Sequence, residues 1–418
     1  MRHLGGCFTV RLPMLGVMDS STAAQPRPGT AGGVRSLRLV MLVLAFACGA
    51  GVANLYYAQP LLDLIGRSFG VSQGAATTVV SLTQIGYAIG LALVLPLGDL
   101  LENRKLASRT LLVTALALAG AALAPGLGVF LAAALLIGVT SVVVQILVPL
   151  AAHLAPEESR GKYVGQVMSG LLLGIMLARS VASFAAAAWG WRSIYAISAV
   201  LMLVTAVLLI KVLPVRRPGH SATYRALLVS TVRLARTEPT LVRRALTQGL
   251  LFGAFTAYWT AVAFVLIDRH QLSQTGIAVF ALVGAGGAAS APIAGRLGDA
   301  GHGRAGRIVA IGVAVLAMLV AGLGAGSLVL LALAGVLLDA AVQGHQVLSQ
   351  RDIYSLAPQA RARVNSVFMT CVFSGGAISS ALTGVVHERW GWTGVTVFAG
   401  LLAGAAALIW AGERRPRA

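Results

Sequence analysis

The sequence predicts an all-α membrane protein with twelve transmembrane helices in two six-helix repeats. Only 11% of its 418 residues are charged and 57% are hydrophobic, whereas soluble chains carry about 25% charged residues. Twelve apolar runs follow one another along the chain, each about the length that crosses a bilayer. Short motifs of the first half also return about 200 residues later, which indicates a duplication.

The duplication is carried by three pairs of motifs in the same order. The pairs are Leu97-Gly98-Asp99 with Leu297-Gly298-Asp299, Leu154-Ala155-Pro156 with Leu356-Ala357-Pro358, and Trp189-Gly190-Trp191 with Trp390-Gly391-Trp392. In a chain this apolar, duplicated halves are typical of a transporter whose site lies between the halves.

The apolar runs divide the chain into two halves joined by one long connection. Helices are predicted over 37–58, 75–98, 106–124, 128–152, 163–187, 193–213, 246–267, 275–297, 306–325, 328–350, 363–387 and 393–411. We therefore expect a disordered cytoplasmic tail over 1–36, a first half over 37–213, a cytoplasmic linker over 214–245, a second half over 246–411 and a tail over 412–418. Part of the arginine-rich linker is expected to form an amphipathic helix on the inner membrane surface.

The basic residues predict the orientation. With the N-terminus inside, 27 of the 32 lysines and arginines lie in cytoplasmic segments and four lie in outer loops. This is the positive-inside pattern of a multi-pass protein of the cell inner membrane with both termini in the cytoplasm. It also explains the net charge of +19 without a nucleic-acid partner. The N-terminal stretch lacks the apolar core of a signal peptide.

Several classes of protein lack support in the sequence. There is no Gly-x4-Gly-Lys-Ser/Thr loop for ATP. No pairing of a nucleophile with a base is apparent, and the three cysteines are scattered without the spacing of a metal site. We therefore expect no enzyme activity, no cofactor and no metal, and we expect a monomer.

Each copy of the Leu-Gly-Asp motif follows a predicted helix on the cytoplasmic side, and an arginine stands five residues after its aspartate. Such an aspartate can accept hydrogen bonds from the N-terminus of a neighbouring helix. Contacts that form in one conformation and break in another make a conformational latch. The candidate latch residues are Asp99, Arg104, Asp299 and Arg304. The alternative is that these charges only set the topology.

Residues 97–105 and 297–304 resemble the loop motif Gly-x-Leu-x-Asp-Arg-x-Gly-Arg-Arg of the major facilitator superfamily. The match departs from the motif at Leu100 and Ala300, where arginine is usual. Helix number, central linker and repeat offset extend the resemblance over almost the whole chain. It implies alternating access, with a cavity lined mainly by helices 1, 4, 7 and 10.

Within that superfamily the chain resembles bacterial drug and small-molecule exporters of the drug:proton antiporter type. Residues 54–60 (Asn-Leu-Tyr-Tyr-Ala-Gln-Pro), together with Leu338, Asp339 and Gln343, resemble one branch of these exporters. The glycines of helix 5 lack the usual proline. Gln145 is the polar residue nearest the place where many such antiporters carry an arginine in helix 4. These departures argue against multidrug antiport but not against transport.

Two ionisable residues lie within apolar runs. Asp339 is the one acid near the middle of such a run. A charged aspartate there costs about 2.5–3.5 kcal/mol on insertion scales, and protonation removes that charge, so Asp339 is the candidate for proton coupling. The alternative is a structural, hydrogen-bonded acid. Arg179 is the matching cation. It is expected to bind a substrate anion, to pair with Asp339, or to extend toward the outer surface.

The candidate cavity residues are polar or aromatic side chains on the helices that the resemblance places around the cavity. They are Asn54, Tyr57, Gln59, Gln145, Arg179, Tyr258, Trp259 and Gln343. Tyr56 and Trp259 are alternatively aromatics of the membrane interface. His345 is expected to be solvated at the cytoplasmic end of its helix. A set rich in amides and aromatics with few charges favours a neutral or amphipathic organic substrate.

The predicted function is secondary active transport of a small organic molecule by alternating access, with proton-coupled efflux favoured. An uptake carrier for a sugar or metabolite is the second transport hypothesis. A transport-inactive membrane sensor or scaffold is the alternative from another class. The expected partners are the small-molecule substrate, the proton and the lipid bilayer.

Overall fold

The computed structural model describes residues 31–215, 223–288, 290–356 and 360–412, and these form helices and short connections without a β-strand. In chain order the helices are α1 (Ala31–Ala53), α2 (Leu62–Phe69), α3 (Gln73–Asp99), α4 (Asn103–Ala122), α5 (Leu127–Leu154), α6 (Glu157–Trp189), α7 (Arg192–Val212), α8 (Tyr224–Thr237), α9 (Pro239–Asp268), α10 (Gln274–Ala281, Gly284–Ala288 and Ser290–Asp299), α11 (Gly303–Leu323), α12 (Leu328–Leu356) and α13 (Arg361–Ala411).

Nine helices in the described ranges are long and apolar enough to cross a membrane: α3 to α7, α9 and α11 to α13. Helix α1 contributes a shorter apolar stretch, Leu37–Ala53. Most of the predicted N-terminal tail and residues 413–418 of the predicted C-terminal tail lie outside the described residues. Large leucines on the outer faces are exposed, such as Leu116 at 72% and Leu323 at 90%. Such side chains suit a surface that faces lipid rather than water.

The Trp-Gly-Trp motifs form the same turn in both halves of the chain. Gly190 and Gly391 both have positive φ, 81° and 59°, a region that other residues rarely adopt. In each motif the second tryptophan, Trp191 or Trp392, is buried, while the first is exposed. The Gly391 turn lies inside α13, so this helix consists of two straight parts that meet at that glycine.

A second structural repeat occurs where α3 and α10 begin. The Ser72 hydroxyl accepts a hydrogen bond from the Ala75 backbone N–H, and the Ser273 hydroxyl accepts one from the N–H of Gly276. Both serines are therefore N-caps, which satisfy donors that a helix start leaves free. The two caps lie 201 positions apart in the chain, so the duplication extends beyond the motifs that first revealed it.

The structure differs from the sequence prediction around the linker. Helix α9 begins at Pro239 instead of 246, because proline fits the first helical turn, where no N–H is required. Arg243 and Arg244 lie in this early part of the helix and interrupt its apolar run, so the hydrophobic pattern does not indicate a helix there. The linker also contains the helix α8, and residues 216–222 lie outside the described residues.

Helices α1 and α6 approach closely through glycines. A Cβ added at Gly174 would overlap the backbone of Gly49, and one added at Gly170 would overlap the backbone of Ala45. Small residues are what allows membrane helices to pack backbone to backbone. Helix α9 is the most buried of the long apolar helices, because it packs against α12 and α13 and its Phe255 and Trp259 contact Arg179 of the first half.

Candidate functional site

The helices before residue 213 and those after 239 meet tightly at one end of the molecule, which we call the closed end. Here α3 packs against α13 and α6 against α10. The Gly74 N–H donates to Glu388 Oε1 at 3.0 Å. The Gln274 amide donates to the Pro60 carbonyl at 3.1 Å and to the Ser183 hydroxyl at 3.2 Å. Polar contacts thus join the two halves at this end.

Toward the opposite end, which we call the open end, a cavity of about 1010 Å³ lies between the two halves. It extends to Asp99 at the end of α3, His153 at the end of α5 and Arg361 at the start of α13. Its inner end is formed by rings that include Tyr56 and Phe255. A cavity of this size matches the range of sites for small organic molecules.

A chain of hydrogen bonds runs along the cavity wall from one half to the other. The Gln145 amide donates to the Tyr87 hydroxyl at 3.2 Å, and Asn365 Nδ2 donates to Gln145 Oε1 at 3.3 Å. The Tyr354 hydroxyl donates to Asn365 Oδ1 at 2.8 Å. Since Gln145 belongs to α5 and Asn365 to α13, this chain bridges the two halves directly.

Arg179 lies behind the inner end of the cavity and is only 2% exposed. Its Nε donates to Gln59 Oε1 at 2.7 Å. Its guanidinium carbon lies 4.2 Å from the centre of the Trp259 ring and 5.2 Å from the centres of the Tyr56 and Phe255 rings. This aromatic enclosure stabilises the cation by cation–π attraction. A side chain enclosed in this way does not extend to the outer surface.

Asp339 is buried on α12, on the other side of the same indole. Its Oδ1 accepts a hydrogen bond of 2.8 Å from the Trp259 ring N–H. A Cβ added at Gly284 would lie 2.9 Å from Asp339 Oδ2, so glycine on α10 leaves the space that this carboxyl occupies. Trp259 therefore contacts Arg179 of the first half with its face and Asp339 of the second half with its edge.

The predicted cavity residues fall into three groups. Gln145 and Gln343 line the cavity. Gln59, Arg179 and Trp259 form the buried cluster behind its inner end.

The third group, Asn54, Tyr57 and Tyr258, differs from the prediction because these side chains face the interior of their own half. Asn54 Oδ1 accepts a hydrogen bond from Ser198 at 2.7 Å. The Tyr57 ring packs edge-on against Tyr195. The Tyr258 hydroxyl donates to the Leu331 carbonyl at 2.6 Å.

The loop-motif residues make contacts within their own halves. Arg104 pairs with Glu102 at 3.5 Å. Asp299 pairs with Arg351 of α12, and the Arg304 guanidinium lies over the Trp410 ring. Asp99 forms no ion pair with any residue in the described ranges, although it borders the cavity. In this conformation the four candidates therefore make no ion pair across the halves within the described part of the chain.

Sequence reasoning missed several residues of the site. Tyr56 is buried at the inner end of the cavity and is not an interfacial aromatic. The cavity is also lined by Asn365, Gln346 and Gln350. The sequence does not show this, because it depends on which faces of α12 and α13 are turned toward the cavity. His345 is 1% exposed and bonded to Gln248 Oε1 at 2.6 Å, so the expectation that it is solvated is wrong.

Comparisons with known proteins agree with this architecture. The sequence profile of the Major Facilitator Superfamily matches residues 41–378 and 245–418. The chain is 37% identical over 372 residues to the uncharacterized transporter YgaY of Escherichia coli O157:H7, covering 89% of this chain and 94% of that protein. It is 34% identical over 386 residues to the probable transporter SCO4007 of Streptomyces coelicolor, covering 91% and 89%.

The same fold occurs in a solved structure. The crystal structure of a D-xylose–proton symporter superposes with a TM-score of 0.69 at 15% identity, covering 90% of this chain and 97% of that one. Two bundles around a central cavity are the architecture of secondary transporters. The chain belongs to the major facilitator superfamily. It is a membrane transporter and not an enzyme.

Proposed function

We propose that this protein exports a small organic molecule from the cytoplasm in exchange for protons. The observation that carries the proposal is the buried cluster in which Trp259 joins Asp339 of one half to Arg179 of the other. It places a group that can gain and lose a proton beside a contact between the halves. A carrier that couples two fluxes needs such a connection, because one event must change the stability of one conformation.

The proposed topology has twelve crossings with both termini in the cytoplasm of a bacterial-type cell. Helix α13 crosses twice because it turns at Gly391, and α1 and α10 supply the crossings that the nine long helices do not. The positive-inside pattern then places α8 and the open end at the cytoplasmic surface. On this assignment the structure is an inward-facing state, with the halves spanning 37–213 and 246–411 as the sequence predicts and α9 extending the second half to 239.

The coupling step follows from the chemistry of the cluster. An ionised Asp339 accepts a charge-assisted hydrogen bond from the indole, which is stronger than a neutral one. That bond increases the electron density of the ring and so strengthens its attraction for Arg179. Protonation of Asp339 weakens both contacts, and loss of the proton to the inside strengthens them, which stabilises the closed outer end of the inward-facing state.

The test compares two kinds of transport in proteoliposomes, in wild type and in Asp339→Asn. A substrate is first chosen by growth of an expressing strain on a panel of toxic compounds and sugars. The asparagine retains an acceptor for Trp259 but resembles a permanently protonated acid. Gradient-driven extrusion is expected to be abolished, whereas downhill exchange of the same compound, which needs no net proton movement, is expected to persist.

Asp268→Asn is the control, since Asp268 ends α9 outside the cluster. Gradient-driven transport at the wild-type rate in Asp339→Asn would make Asp339 a structural acid. Accumulation in the same direction as the proton gradient would support the uptake carrier instead, and the absence of any flux in wild type would favour the sensor.

A further inference from the structure

We infer that the cavity takes an uncharged amphipathic molecule and selects it through a row of amides on α12, Gln343, Gln346 and Gln350. This inference rests on the proposed transport function and adds the class of substrate and the residues that choose it. It is carried by the position, spacing and free hydrogen-bonding groups of these amides, and by where the charges of the cavity lie.

The three glutamines share one face of α12. Their spacing of three and four residues places them one above the other on a helix, and all three line the cavity. Within the described residues, Gln343 makes no hydrogen bond. Gln346 Oε1 accepts a bond of 3.4 Å from Gln248, and Gln350 Nε2 donates one of 3.4 Å to Asn365. The row therefore presents both donors and acceptors to a bound molecule.

The other walls are mainly apolar. Helix α6 contributes a run of aliphatic side chains to the cavity, and the inner end and the sides carry aromatic rings. These residues are Met168, Leu171, Leu172 and Ile175, with Tyr56, Phe252, Phe255 and Phe373. A ligand that has hydrogen-bonding groups along one edge and an apolar body satisfies both kinds of surface.

The charges argue against an ionised ligand. Among the described residues that line the cavity, the charged or titratable side chains other than tyrosine are Asp99, His153, Arg361 and Arg363, and all lie where helices begin or end. A ligand charge deeper in the cavity would lose its water without a counter-charge, which is unfavourable. A cation meets a further penalty, because Arg179 lies behind the Tyr56 and Phe255 rings that it would contact. Asp339 offsets that penalty only while it is ionised.

The test is equilibrium binding to the purified protein in nanodiscs, with empty nanodiscs as the blank for partition into lipid. Three probes share a naphthyl group and differ in charge: 2-naphthyl β-D-glucoside, 2-naphthoate and 2-naphthyltrimethylammonium. The glucoside is expected to bind at least about 10-fold more tightly than either ion. Equal or tighter binding of an ion, or no binding of the glucoside at millimolar concentration, would overturn the inference.

Variants of the row identify the selecting residues. Gln343→Leu is expected to weaken glucoside binding about 3- to 10-fold, the effect of one or two lost hydrogen bonds. Gln343→Glu is expected to strengthen binding of the ammonium probe at least about 10-fold. Gln73→Leu, which makes the same exchange at the start of α3 and outside the cavity, is the matched control. Unchanged glucoside affinity in Gln343→Leu would remove the row from the site.

The binding result can be distinguished both from a folding defect and from the outcome of the transport experiment. Gln343→Asn keeps the amide but withdraws it by one methylene, so it distinguishes lost contact from misfolding if the leucine variant is unstable. Binding requires no proton gradient. If the expected selectivity is measured but proton-driven transport is absent, this inference holds and the proposed coupling is wrong. If proton-driven transport is measured but the selectivity is absent, the coupling holds and this inference is wrong.

Discussion

Arg179 is the residue whose environment most restricts its role. A guanidinium remains charged and presents its donors in a planar fork. Here its Nε donates to Gln59, and its guanidinium carbon lies over the Trp259 ring, 4.2 Å from the ring centre. Gln59 belongs to the first half and Trp259 to the second, so Arg179 holds the two together just behind the cavity. Of the three roles open from the sequence, extension to the outer surface is inconsistent with this burial.

Arg179→Lys is expected to reduce the transport rate at least about 10-fold with little change in thermal stability. Lysine keeps the charge but cannot lie flat on the indole while it bonds Gln59. The measurement is the initial rate of transport in proteoliposomes, together with thermal unfolding in detergent. Arg67→Lys is the matched control, because Arg67 is a 70% exposed arginine at the closed end. Wild-type transport in Arg179→Lys would show that only the charge is needed.

At the residue scale, the sequence predicted the positions of some site residues and not of others, and the reason is geometric. The burial of Asp339 was predictable because a lone acid in the middle of an apolar run lies inside the membrane whichever way its helix is turned. Asn54 and Tyr57 were misplaced because the helix predicted over 37–58 ends at Ala53, so both residues lie in a turn whose side-chain directions the sequence does not fix. Tyr56, next to Tyr57 in the chain, reaches the cavity instead.

At the scale of elements, the loops after α3 and α10 differ although their sequences repeat. Asp299 is paired with Arg351, but both side chains are exposed, at 80% and 50%. Such a pair contributes less than about 1 kcal/mol. Asp99 has no ion-pair partner in the described part of the chain and borders the open end of the cavity. Its partner is therefore expected to be met only when that end closes.

Asp99→Asn is expected to reduce transport strongly, and Asp299→Asn only mildly. Loss of a contact present only in the closed state, of order 1–3 kcal/mol, shifts the balance between the two conformations about 5- to 150-fold. The measurement is transport rate together with the labelling rate of Val347→Cys, a cavity position, which should rise in Asp99→Asn.

Glu158→Gln, at an exposed acid in the first turn of α6, is the control and should change neither quantity. Wild-type transport and labelling in Asp99→Asn, in Asp299→Asn and in the double variant would leave these aspartates a role in topology alone.

The elements themselves were largely predictable, because an apolar run of about 20 residues has few alternatives to a helix in a membrane. The errors lie where a local rule competes with hydropathy. Pro239 and two arginines begin a helix that the apolar pattern places seven residues later. Gly284 and Gly287 lie in the broken middle part of α10, where the space beside them is occupied by Asp339 of α12. This requirement for space comes from a neighbouring helix, so the local sequence does not indicate it.

At the scale of the whole molecule, the contacts between the halves are unequal at the two ends. The closed end is held by backbone and side-chain bonds from Gly74, Gln274 and their partners. Toward the open end the cavity separates the halves, except along the wall where α13 bonds to α3 and α5. Two similar bundles that meet at one end can rock about the cavity and exchange which end is closed. In the proposed topology this exchange is the transport cycle, so a covalent link across the closed end must stop it.

Gly74→Cys with Glu388→Cys, in a background with Cys7, Cys48 and Cys371 replaced, is expected to form a disulfide under mild oxidation. A Cβ added at Gly74 would lie 3.0 Å from Cγ of Glu388, which brings the two Cβ atoms near the spacing that a disulfide requires. Oxidation should abolish transport in proteoliposomes, and reduction should restore it. Binding of the naphthyl probes from the open end should survive oxidation, because the cavity in the structure is already formed.

The control is Gly165→Cys with Gly295→Cys, on the parts of α6 and α10 that lie toward the open end, where a Cβ added at either glycine would meet no atom within 4 Å. It should not form a disulfide in the conformation described here. If the bridge between positions 74 and 388 forms, as judged by a gel shift, and transport continues at the wild-type rate, the halves do not separate at this end during the cycle. Alternating access about this cavity would then be wrong, because a carrier whose outer end is locked has no route by which a cavity ligand can leave to the outside.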